Sequence, residues 1–91
     1  MDDRQFTRIA KALADPRRFA LLQRIAADRE VACQAIVGES KVTQATISHH
    51  VKELINAGLV DVRKEGKCAH FKFCRGVMRD YSRELANRLR G

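Results

Sequence analysis

The stretch V-T-Q-A-T-I-S-H-H-V-K-E-L-I-N-A-G, residues 42–58, decides how this chain folds. Ile47, Val51, Leu54 and Ile55 recur at the i, i+4, i+7, i+8 spacing that lays one apolar stripe along a helix. The opposite face carries Ala45, Thr46, His49, Lys52 and Asn56, with Gln44 and Ser48 on its flanks. Small side chains and amide or hydroxyl donors fill the first turns, an arrangement suited to reading base edges in a major groove. Thr43 is the expected N-cap. Val42 and Ile47 occupy the two positions of a hydrophobic staple. Gly58, followed by apolar Leu59, supplies a left-handed stop. Taken alone, the pattern also fits an ordinary amphipathic surface helix, and the flanking segments decide between the two.

Downstream, residues 59–74 read L-V-D-V-R-K-E-G-K-C-A-H-F-K-F-C. Val60 and Val62 alternate with charged residues, and Ala69, Phe71 and Phe73 alternate with Cys68, His70, Lys72 and Cys74. Two period-2 segments joined around Glu65-Gly66 predict a β-hairpin, with Arg63, Lys64 and Lys67 at its tip and flanks. Val77, Met78, Tyr81, Leu85 and Leu89 then predict a last helix over about 76–90. Upstream, Phe6, Ile9 and Leu13 place a first helix near 3–13. Asp15-Pro16 starts a second that runs to about Ala27. Cys33, Ile36 and Val37 suggest a short third over roughly 32–38, ended by Gly38. The expected fold is mainly α with a small β-hairpin: five helices and a two-stranded wing, in winged helix-turn-helix order. One domain covers 1–91, with the helix-turn-helix at about 31–57 and the wing at about 59–74. In this arrangement the helix enters the major groove, and the basic hairpin meets phosphates beside it.

Composition is consistent with that reading. The 91 residues are 45% hydrophobic and 32% charged, enough apolar content for one core. The formal charge is +7, and its distribution matters more than its size. Residues 31–58 hold two basic and two acidic side chains, whereas residues 59–91 hold nine basic and four acidic, a net of +5. The positive field therefore comes mainly from the segment after the helix, as a polyanionic partner requires. No apolar run is long enough to span a membrane, and Met1-Asp2-Asp3 is unlike a signal peptide, so a cytoplasmic protein with no membrane partner is expected. An enzyme would need a nucleophile with an oriented base, or paired carboxylates, and neither pattern is present. With four Phe, one Tyr and no Trp, the chain lacks a stacking platform for single strands or RNA. A winged helix used only for protein contacts remains an alternative, distinguished by the absence of salt-dependent DNA affinity.

Over nearly its whole length the chain resembles the ArsR/SmtB family of small bacterial winged-helix repressors. The matching stretches are L-A-D-P-R-R-F-A-L-L (13–22), V-T-Q-A-T-I-S-H-H-V-K-E-L (42–54), A-G-L-V (57–60), R-K-E-G-K (63–67) and H-F-K-F (70–73). The resemblance implies a homodimer, paired through the first and last helices, that represses a promoter at an inverted-repeat operator and is released by an inducer. It implies Phe6, Ile9, Leu13, Val77, Tyr81, Leu85 and Leu89 as interface residues. It implies Thr43, Gln44, Thr46, Ser48 and His49 as DNA readers, with Arg63, Lys64 and Lys67 in the wing. Lys52, on the outward face of the same helix, joins the candidate DNA contacts.

The family's inducer sites are where this sequence departs. Many members carry a Cys-Val-Cys pair before the recognition helix, but here E-V-A-C-Q-A-I (30–36) places Ala32 and Gln34 around a lone Cys33. Members that sense zinc use Asp and His on the last helix, and here Asp80 has no histidine after His70. No metal or other cofactor is therefore expected. Three cysteines, an odd number, fit free thiols better than a disulfide framework. Cys33 reads as a core residue. Cys68 and Cys74 lie six residues apart on one expected strand, roughly 20 Å at about 3.3 Å per residue, too far for one ion. A thiol sensor of oxidant, persulfide or soft metalloid built from Cys33, Cys68 and Cys74 is the alternative reading. His49 and His50 diverge by about 100° on a helix, so they do not share one ion. His49 faces outward, and His50 sits at the edge of the apolar face as a packed or hydrogen-bonded residue.

Overall fold

The computed structural model describes residues 1–90. Its elements are α1 (Asp3–Ala14), α2 (Pro16–Ala26), β1 (Val31–Ala32), α3 (Cys33–Glu39), α4 (Gln44–Asn56), β2 (Val60–Glu65), β3 (Cys68–Phe73) and α5 (Arg75–Arg88).

Three helices begin where a side-chain oxygen takes up a backbone N–H that the helix cannot satisfy itself. An Asp2 carboxylate oxygen accepts from Gln5 N at 2.7 Å. Asp15 Oδ1 accepts from Arg17 N at 2.8 Å and Arg18 N at 3.3 Å, with Pro16 pre-set for the first helical position. Those two donors hold the Asp15 carboxyl below its ordinary pKa, as hydrogen bonding to a charged acceptor should. Thr43 Oγ1 accepts from Thr46 N at 3.2 Å. α4 ends as its sequence predicts. Gly58 has φ 83°, its N–H donates to Ile55 O, and Leu59 N donates to Leu54 O. That pair of bonds is a Schellman closure.

The sheet corrects the two-stranded expectation. β1 pairs with β3 and β3 with β2, all antiparallel, so the order is β1-β3-β2. Val31 lies opposite Phe71 and Ala32 opposite His70. A two-residue strand has no period to detect, and only β3 as a template defines it. The same pairing moves the start of the third helix from about residue 32 to Cys33. In the hairpin, Glu65 is opposite Cys68 and Gly66 alone of the two loop residues has positive φ, the pattern of a II′ turn.

The core gathers Ile9 of α1, Leu22 and Ile25 of α2, Ile36 of α3, and Ile47, Val51 and Leu54 of α4. Leu59, Val60, Phe71 and Tyr81 close it from the wing and α5. Every α4 residue in the predicted apolar stripe is buried or half-buried, which pins the opposite face of that helix toward solvent.

Candidate nucleic-acid interface

Gln44, Thr46, Ser48, His49 and Lys52 are all exposed on α4. Gln44, Ser48, His49 and Lys52 make no hydrogen bond or ion pair to any other described residue. Thr43 is also exposed, but its hydroxyl is engaged as the cap and lies 3.0 Å from Thr46 Oγ1. Thr43 therefore fixes the first turn while Gln44, Ser48 and His49 present unengaged polar groups. His50 is packed inward, 8% exposed, with Nδ1 buried and without a hydrogen-bond partner among the described residues.

The wing is less uniformly basic than its sequence suggests. Arg63 and Lys64 are neighbours on β2 and so face opposite sides of the sheet. Lys64 shares its side with Val62, Ala69 and Phe71, and both Lys64 and Lys67 are exposed without an ion pair to a described residue. Arg63 lies on the other side, where two carboxylates hold it. Its Nη2 donates to Glu30 Oε1 at 2.6 Å and its Nη1 to Glu65 Oε2 at 2.9 Å. These charge-assisted bonds push the guanidinium pKa up and hold Glu30 and Glu65 below their ordinary value. The His70 ring sits between the same carboxylates, Nδ1 3.8 Å from Glu30 and Nε2 3.8 Å from Glu65. Arg63 is thus an internally compensated cation, and Lys64 and Lys67 are the free ones. Glu30 had no local signal, because it lies 33 residues from Arg63 and only the β1–β3 pairing brings it near.

Of the seven expected interface residues, two belong to the monomer's own core. Ile9 is fully buried and Tyr81 is 8% exposed, its ring 5.1 Å from that of Phe6. Helical period alone does not distinguish a stripe facing the chain's own core from one facing a partner. Phe6, Leu13 and Val77 are half-buried, and Leu85 and Leu89 are exposed. Arg88 fastens α5 to α1: it donates to Glu84, lies 2.7 Å from Asp3 Oδ1, and stacks 4.0 Å over Phe6.

The three cysteines do not converge. Cys33 is in the core, Cys68 opens β3, and Cys74 falls just past the strand, beside Asp61 at the start of α5. Burial raises the pKa of Cys33 and of Cys74, which disfavours the thiolate that sensing chemistry needs. Among the described residues no group of three or more His, Cys, Asp or Glu is placed to hold a metal ion.

Comparison with known proteins places these features in context. The model of a helix-turn-helix domain family matches residues 13–63. An uncharacterized HTH-type transcriptional regulator of Methanocaldococcus jannaschii is 43% identical over 58 residues, 64% of this chain and 65% of that protein. The arsenical resistance operon repressor of Staphylococcus xylosus is 33% identical over 66 residues, 72% of this chain and 62% of that protein. The matched segment thus spans just under two thirds of the length of these curated relatives. Among solved structures, the homodimeric winged helix-turn-helix DNA-binding domain (fragment 1–100) from Mycobacterium bovis, a possible ArsR-family transcriptional regulator, superposes with a TM-score of 0.74. It is 28% identical, and the match covers 100% of this chain and 92% of that one.

Proposed function

The chain belongs to the ArsR-type family of winged helix-turn-helix proteins, and from that membership we propose that it is a dimeric, DNA-binding transcriptional repressor of the cytoplasm. The observation that carries the reading is the polar strip on α4: Gln44, Ser48, His49 and Lys52, exposed and unengaged, over the buried Ile47, Val51 and Leu54. A strip held by a core on one side and open on the other suits a helix that enters a major groove. Lys64 and Lys67 supply phosphate contacts from the wing. The dimer closes through the exposed Leu85 and Leu89 of α5, with Phe6, Leu13 and Val77 at its margin. Its two α4 helices then meet an inverted repeat whose half-sites lie about one helical turn, roughly 10 bp, apart or a multiple of it.

The test is binding of the full-length chain to duplex DNA from immediately upstream of its own gene, against a random duplex, over a range of salt. Tight binding to the upstream duplex with a steep salt slope is expected. Gln44→Ala should lower affinity for that duplex by about 1–3 kcal/mol and leave the random duplex nearly unchanged. Equal loss on both duplexes would remove Gln44 from the reading face. Absence of salt-dependent binding would leave a protein-contact module instead.

A further inference from the structure

A groove of about 490 Å³ runs between α2, the α3–α4 turn and the first turns of α4. That volume lies within the range of small-molecule sites, about 300–1,000 Å³. Its walls are mainly apolar: Leu21 from α2, Ile36 from α3, Val42 from the turn and Ile47 from α4. Val42 is 43% exposed, so the staple position of the sequence closes over the groove only in part. His50 also lines it, a side chain more than nine-tenths buried whose ring makes no hydrogen bond to a described residue and whose Nδ1 is sealed from solvent. Nδ1, sealed from solvent, does not itself face the open groove, so Nε2 is the ring nitrogen left to meet an occupant.

The charge at the rim has a definite sign. Arg24 and Glu39 both border the groove, but they neutralise each other through a two-pronged pair of 2.6 and 2.7 Å. Arg17 remains, its side chain 78% exposed and only loosely paired with Asp15 at 3.7 Å, a carboxylate that Arg18 shares. The groove thus offers an apolar slot, one imidazole without a hydrogen-bond partner among the described residues, and one loosely paired guanidinium at its mouth.

We propose that this groove binds a small molecule with a flat apolar body and a single carboxylate, and that its occupancy weakens DNA binding by the adjoining helix. The apolar body lies between Leu21 and Ile47, the carboxylate faces Arg17, and the His50 ring supplies a polar contact. The second half of the proposal rests on the assignment of α4 as the DNA-reading helix. Thr46 and Ile47 form part of the groove wall and belong to α4's first turns, the same turns that carry Gln44 and Ser48. An occupant wedged against Ile47 shifts that end of the helix, and small shifts of a packed element change its fit to a rigid partner.

The probe is 1-naphthoate, titrated into the full-length chain and followed by protein NMR, with DNA binding measured in parallel on the upstream duplex. Saturable shifts confined to residues around Leu21, Ile36, Val42 and Ile47, together with movement of the His50 ring nitrogen signals, are expected. The uncharged 1-naphthalenemethanol, and naphthoate with Arg17→Gln, should each bind about two- to fivefold more weakly, as loss of one surface charge pair allows. Ala20→Phe places a ring in the groove from an exposed position, so it should abolish the shifts without unfolding the chain. Naphthoate should weaken wild-type DNA binding about fivefold or more and leave Ala20→Phe unaffected. Shifts that survive Ala20→Phe, acid and alcohol binding equally, or no saturable shift at millimolar naphthoate would overturn the site. Binding that leaves DNA affinity unchanged would overturn the coupling. Naphthoate binding by a chain that engages no duplex would support the site and sink the DNA reading alone.

Discussion

At Gly58 the chain leaves α4 with φ 83°, a conformation strained for any residue bearing a Cβ. A Cβ there would also lie 2.9 Å from Gln5 Nε2. That amide ends a flexible side chain and can move, so backbone strain is the larger effect. Gly58→Ala should lower unfolding free energy by about 1–2 kcal/mol in urea titration. An unchanged midpoint would mean that the helix end relaxes. Thr43→Ala removes the cap of α4 and should cost about 1 kcal/mol. Ser48→Ala, more than a turn from the Thr43 cap and with a side chain free of hydrogen bonds to described residues, should leave stability nearly unchanged and affect DNA binding only. The pair of variants separates the residue that builds α4 from one proposed to contact DNA.

The wing behaves as two faces of one ribbon. Lys64 and Lys67 are free, so Lys64→Ala should weaken binding to all duplexes alike and reduce the salt slope by about one unit. Arg63 is held by Glu30 and Glu65, so Arg63→Ala should have a smaller effect on the salt slope than Lys64→Ala. Equal effects would show that the carboxylates release Arg63 on binding. The acid limb of stability reports the same cluster. Glu30 and Glu65 have folded pKa values below the ordinary 4.5, so their contribution is present above that pH. It is lost as pH falls through the lowered folded values. Glu30→Gln should therefore flatten the loss of stability below about pH 4.5, a change read by thermal melts across the acid range. Both carboxylates are exposed, so the change is small.

For the molecule as a whole, α5 serves two masters at once. Its inner side, at Tyr81, belongs to the monomer's core, and its outer end, at Leu85 and Leu89, is left open. Tyr81→Ala should cost about 3–5 kcal/mol, as removal of a buried ring does, and unfold much of the population. Leu85→Glu should leave the monomer folded and shift sedimentation from dimer to monomer. A Leu85→Glu chain that still sediments as a dimer would move the interface away from α5. In the proposed dimer the two-fold pairing sets the spacing of the two α4 helices, so the monomeric variant should lose the upstream duplex far more than the random one.

The local elements of this protein follow from its sequence because their causes are local. The Asp15-Pro16 start, the Thr43 cap, the Gly58 stop and the apolar stripe of α4 each act over a few residues, so spacing alone reveals them. The unengaged strip of Gln44, Ser48, His49 and Lys52 follows as the complement of that stripe. What only the tertiary structure decided are pairings between distant segments. A two-residue strand exists because Phe71 and His70 offer it a partner, and that strand brings Glu30 to Arg63. Ile9 and Tyr81 turn into the core rather than toward a partner because α1 and α5 pack on the same side of it. The groove beside His50 lies where α2, α3 and the first turns of α4 meet, with Val42 covering it only in part. Such facts depend on how elements meet in space, and helical or strand periodicity along the chain carries no record of that.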